Sequence, residues 1–455
     1  MHLDKLFDPK SMAVVGVSLS NDRHPANVVY NKNHLRYPLS VYPVNPRGGT
    51  LQHEKVYSSI AELPEPVDLA VIAVRAEKVP DVMEDCIRAH IGSAIVVSGG
   101  FEEVGRKDLQ DRLVALARKA DFPFIGPNCL GIFAPEKTDT FFLPSERMVR
   151  PRKGNVALVS QSGGILVDQV VKFAGENVGL SMAVSIGNKA QIREKELLAY
   201  LIEDDQTGVI AFYIEGFGKN EGREFVQAAQ RSPKPVIVLK AGKSPGGSRA
   251  VSSHTAALAG DYEVFSAVFS QFGIVEAHDE YELISFCESL SRYRRGIQGR
   301  IGVVTGSGGH GALAVDTCMS HALSVPELSD DTQKEITDKL SPSIQTIASV
   351  ANPIDLTGSA VDDDFVAATS FLSRSSEIDC IMVLLLPYLP GITSDLGARL
   401  SQISLREEKP LIAYVPHVER YRMIIEGFEF NSVPVAHSIE GAVLMAEAVW
   451  RYRAQ

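Results

Sequence analysis

The chain has 455 residues, too many for one hydrophobic core and suited to about three domains. A hydrophobic fraction of 45% and a charged fraction of 22% describe an ordinary globular protein. The formal net charge of −11 excludes a nucleic-acid binder built on a broad basic face, so any anionic ligand must be held by local groups.

The five cysteines, Cys86, Cys129, Cys287, Cys318 and Cys380, are odd in number and widely spaced, with no C-x-x-C pair. That favours a reducing compartment and disfavours structural zinc. The N-terminal segment MHLDKLF has no apolar core long enough for a signal peptide, and the apolar run at 380–386 is far too short to span a bilayer. A cytoplasmic protein with no metal of its own and no membrane partner is expected.

In chain order, the first unit starts with the apolar run 11–18, which ends in Gly16-Val-Ser18. Such a run reads as a buried parallel strand whose glycine lets the backbone turn tightly toward a ligand. Further apolar runs at 39–44, 67–74, 93–97 and 123–125 alternate with helical stretches at 78–89 and 109–120. Strand and helix alternation predicts a doubly wound α/β sheet. Ligands of such sheets bind beyond the C-terminal strand ends, where Gly16, Ser18, residues 45–49, Val74, Arg75 and residues 98–101 would gather. The turn at Gly16 lacks the G-x-G-x-x-G of a dinucleotide site. Tyr42-Pro-Val-Asn45-Pro46-Arg47-Gly-Gly49 is either a proline-glycine turn with a solvated arginine or a loop that holds phosphate through Arg47. Gly126-Pro-Asn128-Cys129-Leu-Gly131 is either turn punctuation or part of a site.

Residues 132–152, with three prolines and mixed charge, read as a linker. The second unit opens with a strand running into Ser160-Gln161-Ser162-Gly163-Gly164 and then an apolar-periodic helix at 165–174. That arrangement aims unpaired helix N–H groups at an anion, moderately specific for phosphate. The run 209–216 ends in Glu215 and Gly216, a carboxylate at a strand end that is either solvated or functional. The strand at 235–239 then empties into a long small-residue stretch, 240–260. Its lone imidazole, His254, sits among serines, threonine and alanines, with Lys240, Lys243 and Arg249 nearby in sequence. Either His254 packs under the helix that starts near Asp261, or it carries phosphoryl groups, which small neighbours and cations would suit. Helices at 261–271 and 280–293 complete this unit.

After a polar hinge at 294–299, the run 300–310 repeats the pattern of 155–165: strand, then Gly306-Ser307-Gly308-Gly309, then helix. This is an internal repeat at domain scale. Either both turns take a phosphate position or one is a remnant of duplication. His310 is a weaker second candidate for a nucleophile. Asn352-Pro-Ile-Asp-Leu-Thr-Gly358 is an Asx-type turn or a ligand contact. Strands at 380–386 and 410–415 and a helix at 438–450 finish the chain.

Ser253-His-Thr-Ala-Ala-Leu-Ala-Gly260 resembles the phosphohistidine segment of the nucleoside-diphosphate-forming acyl-CoA synthetases, the superfamily that includes succinyl-CoA synthetase. The similarity runs from about Leu6 to the C-terminus with several motifs in order. It implies an N-terminal Rossmann-like CoA-binding domain (1–131) followed by two flavodoxin-like doubly wound domains (150–295 and 298–455). In that frame His254 is the phosphorylated residue and Glu215 its hydrogen-bond partner. Gly16, Ser18, Asn45, Pro46, Arg47, Val74, Arg75, Ser98 and Gly99 would hold CoA, and Asn128 would contact the thioester, with Cys129 a neighbour. The turns Ser160–Gly164 and Gly306–Gly309 would receive phosphate.

The family usually has glycine where this chain has Arg23-His-Pro-Ala-Asn27, and proline at Arg75, so an unusual CoA orientation or affinity is expected here. Family members also need an ATP-grasp module for ADP/ATP with Mg²⁺, and no P-loop or ATP-grasp segment is recognisable in this chain. The resemblance therefore implies an α subunit of an ADP-forming acyl-CoA synthetase, in a hetero-oligomer with a separate ATP-grasp β subunit. A regulatory CoA-binding descendant of the same fold is the alternative, and a nicotinamide-dependent dehydrogenase a third reading.

Overall fold

The computed structural model describes residues 3–218, 220–255 and 261–452, with the main chain alone at 252–255. The chain divides into two compact units, Met1–Glu280 and Tyr281–Gln455.

The first unit contains two sheets. In the first sheet the strands lie in the order Ser40–Val44, Ser11–Val15, Leu69–Ile72, Ser93–Val96, Phe124–Ile125, all parallel. Ser11–Val15 is buried along its whole length, as a central strand covered on both faces must be. The chain runs from this strand to one neighbour and then crosses to the other, so the switch point lies between Ser11–Val15 and Leu69–Ile72. Ligands of such sheets bind at this point, beyond the C-terminal strand ends. Gly16 turns the chain out of the central strand with φ +102°, and a Cβ on it would lie 2.4 Å from the Ala73 carbonyl oxygen. Only glycine fits a position that is both left-handed and in contact with backbone.

The second sheet is ordered Val275–Ala277, Val236–Lys240, Val209–Ile214, Lys153–Ser160, Leu180–Ser185, Gly131–Ala134, Thr138–Asp139. Its first five strands are parallel and repeat the switch-point order of the first sheet. Its last two run antiparallel. They come from the segment that its prolines marked as a linker, which is therefore in part sheet. Gly131–Ala134 is wholly buried, and the second strand brings in a buried carboxylate. Asp139, 1% exposed, meets Lys32 Nζ at 2.9 Å and Arg150 Nε at 2.7 Å. The Asn33 side chain also donates to the Asp139 carbonyl at 2.7 Å and accepts from its N–H at 3.0 Å. Helix Pro25–Arg36 of the first domain is thus bonded to an edge strand of the second sheet.

The second unit carries one parallel sheet, ordered Ile354–Asp355, Ile301–Thr305, Cys380–Leu384, Leu411–Tyr414, Val435–Ala436, again with the same switch. From Tyr281 on, helix Glu280–Arg292 clusters with this unit. The reason is its partners: Ser289 Oγ donates to the Met445 carbonyl at 2.7 Å, and the Tyr293 hydroxyl just beyond it donates to that of Leu411 at 2.8 Å. Among the described residues no helix is long and apolar enough to cross a membrane. All five cysteines are buried and free.

Candidate active site

At the switch point of the first sheet, the turn after Gly16 is closed by a residue that the sequence marked only as a departure. Asn27, fully buried near the start of helix Pro25–Arg36, accepts the Ser18 N–H at 2.7 Å and donates to the Ser18 carbonyl at 2.8 Å. Asn27 thus does by side chain what a tighter glycine turn would do by backbone. Asn45 ties the neighbouring loop to the same turn, donating to the Val17 carbonyl at 2.6 Å and accepting the Arg47 N–H at 2.9 Å. Pro46, Arg47 and Arg75 are exposed on these loops. Val74 and Ser98 meet through the Ser98 hydroxyl, which donates to the Val74 carbonyl. Gly99 is exposed and lies against Asn128: a Cβ on it would be 3.2 Å from Asn128 Oδ1. Asn128, with φ +57°, donates its N–H to the Ser98 carbonyl at 2.9 Å and leaves its side chain exposed. The structure therefore gathers these residues at one end of the sheet. Cys129 is buried at 5% exposure, and burial pushes its thiol up to about 12, so it is an inert neighbour.

A segment between strands joins this end to the second sheet. Asn188 donates its N–H to the Pro127 carbonyl at 2.9 Å, and its side chain meets Glu103, Gln110 and Asn128. Gly187 packs so closely on Asn128 that a Cβ would sit 2.3 Å from its carbonyl oxygen. The next residue, Lys189, reaches the second cluster: its Nζ donates to the Gly216 carbonyl at 2.6 Å and to Glu194 Oε1 at 2.7 Å.

That cluster is built around Glu215. It follows strand Val209–Ile214 and is 6% exposed. Its N–H donates to Gln161 Oε1 at 2.6 Å, and the Gly216 N–H donates to the same oxygen at 3.2 Å. The Gln161 amide donates in turn to the Gly216 carbonyl at 2.8 Å and to Glu194. Glu215 Oε2 is buried with no hydrogen-bond partner among the described residues. A buried carboxylate oxygen without a partner is costly, and such sites are commonly held for a group that arrives. Lys240, 2% exposed at the end of the adjacent strand, donates to the Glu215 carbonyl at 2.8 Å.

Beside this cluster, helix Gly163–Gly175 begins with Ser162 as N-cap, its hydroxyl accepting the Ile165 N–H at 3.4 Å. Ser160 Oγ donates to the Ser162 carbonyl at 2.7 Å and accepts its N–H at 3.1 Å, which shapes the turn. The side chains of Ser160 and Gln161, two residues of the expected phosphate turn, are thus committed inside the fold. Gly164 is exposed and a Cβ there would meet nothing within 4 Å, so the open part of this anion-suited helix start lies at Gly163 and Gly164.

The stretch 240–260, read as a loop, contains helix Pro245–Thr255. His254 is in its last turn; the His254 side chain and residues 256–260 lie outside the described residues.

In the second unit, helix Gly308–Ser320 starts after Ser307, and Thr305 Oγ1 repeats the bonding of Ser160, accepting the Ser307 N–H at 3.2 Å. Gly306 packs under Leu389, and Gly309 is open toward solvent. The two turns differ in what faces them. A Cβ on Gly308 would lie 2.9 Å from a carboxylate oxygen of Asp355, whereas Gly163 faces the neutral Leu130 and Ser185. An anion at the second turn meets a charge already present at the helix start. His310 Nδ1 lies 3.1 Å from Ser307 Oγ. Asn352 is committed to the fold, accepting the Val303 N–H and donating to the carbonyls of Ile301 and Pro326, each at 2.9 Å.

Sequence reasoning missed Asn27 and Glu194 as site residues, whereas the segment 185–189, which follows a strand, reads as near the site by topology without a role for Asn188 or Lys189. The positive φ of Lys189, +46°, marks a turn whose sequence signal is the preceding Gly187-Asn188.

Residues 10–135 match a CoA binding domain and residues 153–290 a succinyl-CoA ligase like flavodoxin domain. The ADP-forming acetate–CoA ligase I of Archaeoglobus fulgidus is 36% identical over 390 residues, which cover 85% of this chain and 55% of that one. The α subunit of the ADP-forming acetate–CoA ligase I of Pyrococcus furiosus is 32% identical over 467 residues, covering 99% and 98%. The chain thus spans about half the length of some curated relatives and nearly all of an α subunit. Among solved structures, a dinucleotide-forming acetyl-coenzyme A synthetase 1 of Candidatus Korarchaeum cryptofilum, in complex with phosphate and ADP, superposes with a TM-score of 0.90 at 30% identity, covering 99% of this chain and 97% of that one. The chain belongs to the family of ADP-forming acyl-CoA ligases, acid–thiol ligases with a CoA binding domain and a succinyl-CoA ligase like flavodoxin domain.

Proposed function

We propose that this chain carries the CoA and phosphohistidine half of an ADP-forming acyl-CoA ligase, interconverting acyl-CoA, phosphate and ADP with a carboxylic acid, CoA and ATP. The observation that carries this reading is Glu215 Oε2, a buried carboxylate oxygen with no hydrogen-bond partner among the described residues, at a strand end whose next strand leads into the His254 helix.

In the thioester-consuming direction a phosphate oxygen attacks the acyl carbonyl and the CoA thiolate leaves. The loops of Gly16, Asn45, Arg47, Val74 and Arg75 bind CoA, and Asn128 faces the thioester. The acyl phosphate then loses its phosphoryl group to a neutral His254 nitrogen, and the carboxylate departs. Glu215 accepts the proton-bearing nitrogen of His254, which selects the tautomer that attacks and stabilises the imidazolium character that develops. The open N–H groups at Gly163 and Gly164 spread the charge of the moving phosphoryl group without reorganising. Passage to ADP requires a nucleotide module, which we assign to a separate ATP-grasp β subunit that also supplies Mg²⁺, in a hetero-oligomer. The free, buried state of all five cysteines supports a cytoplasmic location.

Incubating the chain with ³²P-phosphate, Mg²⁺ and a panel of acyl-CoAs, with and without an ATP-grasp subunit from the family, tests the reading. Acid-labile, base-stable label is expected, lost in His254→Ala while CoA binding persists. Label that survives in His254→Ala sinks the phosphohistidine role.

A further inference from the structure

Lys240 stands out as a buried charge that the reaction above does not use. It closes strand Val236–Lys240 opposite Ile214 in parallel register, one residue before Glu215. It is 2% exposed. Its Nζ donates to the Glu215 carbonyl at 2.8 Å and to the Ala241 carbonyl, and lies 5.0 Å from the centre of the Phe265 ring. Among the described residues no carboxylate lies within ion-pair distance of this ammonium, which two carbonyls and a ring face hold, an arrangement that burial opposes unless an anion nearby compensates.

We propose that Lys240 is a positioning residue for phosphoryl transfer: its ammonium is the local countercharge of the Glu215 carboxylate and pins the root of the His254 segment to the strand end that bears Glu215. The proposal rests on the functional reading above and adds a residue to it. Two independent bonds carry it. One fixes the main chain of Glu215; the other fixes Ala241, the first residue of the path to helix Pro245–Thr255. One side chain thus sets the spacing between the two strand ends from which acceptor and nucleophile depart.

The surroundings leave this charge role to Lys240. The Lys189 ammonium is engaged by Glu194 and the Gly216 carbonyl. Gln161, from strand Lys153–Ser160, is neutral, and helix Tyr262–Gln271 offers the Phe265 ring. Tyr213, on the strand of Glu215 itself, is pushed up to about 12 by burial and by the charges of Glu215 and Glu280, so it stays a neutral phenol. Lys243 adds positive charge at longer range. Burial draws the Lys240 ammonium below the usual lysine range, Glu215 opposes this, and Lys243 and Lys189 reinforce it. A cation and an anion that support each other in this way are coupled: removing the one makes the other harder to keep charged.

The test compares Lys240→Met, which keeps bulk and loses charge, with Lys240→Arg, which keeps charge. Two readouts are taken on the full chain with its ATP-grasp partner: label on His254 as a function of pH, and the ¹³Cδ titration of Glu215 in glutamate-labelled protein, assigned with Glu215→Gln. In Lys240→Met the acid limb of the label-against-pH curve moves up by about one unit, and the ¹³Cδ midpoint moves up with it by about one unit, a tenfold change in proton affinity. Lys240→Arg stays near wild type in both. A Lys240→Met variant with wild-type label, or with label lowered equally at every pH and an unmoved ¹³Cδ midpoint, overturns the proposal. Absence of label in the wild type overturns the phosphohistidine reading instead, and the ¹³Cδ midpoint still decides whether Lys240 is the countercharge of Glu215.

Discussion

Replacing Gln161 by Leu probes the element that holds Glu215 in place. The carboxamide is 7% exposed and serves both main-chain N–H groups at the strand end, that of Glu215 at 2.6 Å and that of Gly216 at 3.2 Å. Leucine has nearly the same volume, so packing changes little and the loss is polar. Each buried N–H left without an acceptor costs about 1–3 kcal/mol, which sums to about 2–6 kcal/mol for the pair. The Gly216 carbonyl keeps Lys189, and Glu194 keeps the same lysine, so the remainder of the cluster stays satisfied. The lower half of the range, about 3 kcal/mol, is expected because the strand end can shift toward water and rehydrate, which lowers the melting temperature by roughly 5–10 °C. That shift also moves Glu215, and a displacement on the order of 1 Å costs roughly a hundredfold in transfer rate. Differential scanning calorimetry and single-turnover labelling of His254 measure the two effects, with CoA binding as the control for the first domain. A variant that melts and labels as wild type refutes the assignment of Gln161 as the anchor of Glu215.

Asp139→Asn should cost about 3–5 kcal/mol, because it leaves the Lys32 ammonium, 6% exposed, without its carboxylate; equilibrium melting of the variant checks this, and an unchanged transition refutes it. In the second unit, burial alone would raise the Asp379 carboxyl, but hydrogen bonds from the Arg300 side chain and N–H, with its charge, hold it below the ordinary aspartate value. A depressed folded value means that this contribution is complete above the unfolded value and is lost as pH falls through the folded one. Asp379→Asn should therefore be less stable than wild type at pH 6, with the gap closing toward pH 2; melting followed by circular dichroism at a series of pH values checks this, and a gap that does not change with pH refutes it. Finally, burial raises all five thiols, Cys129 and Cys318 to about 12, so an aromatic disulfide reagent at pH 8 should find none quickly in the native chain and five after denaturation. Rapid reaction of any native thiol contradicts the packing described.

Much of the architecture was legible because it is local. Alternating apolar runs and amphipathic stretches announce parallel sheets, and a strand that ends in Ser-x-Ser-Gly-Gly announces a helix start, so the doubly wound class and both Ser-Gly-Gly turns follow from neighbouring residues. Residues 131–139 escaped that logic. Their prolines and charges look like a connector, yet Gly131–Ala134 is short and wholly buried, and Asp139 is tolerable inside only because Lys32 and Arg150 reach it. Helix Glu280–Arg292 was recognisable as a helix, but its allegiance depended on acceptors at Leu411 and Met445, more than a hundred residues away.

The candidate site divides in the same way. Sequence by itself determined the residue types that the chemistry needs, a lone histidine among small residues, a carboxylate at a strand end and glycines at two helix starts. Tertiary structure alone decided which of them are free to act. Gln161 and Ser160 read as phosphate ligands but spend their side chains on the strand end and the turn. Asn27, which read as a departure, closes the turn at Ser18. Asp355 places a carboxylate at one Ser-Gly-Gly turn and not at the other. Local sequence dictates backbone conformation through sterics and short-range hydrogen bonds, whereas the availability of a polar atom depends on which distant donor or acceptor the fold brings within about 3 Å.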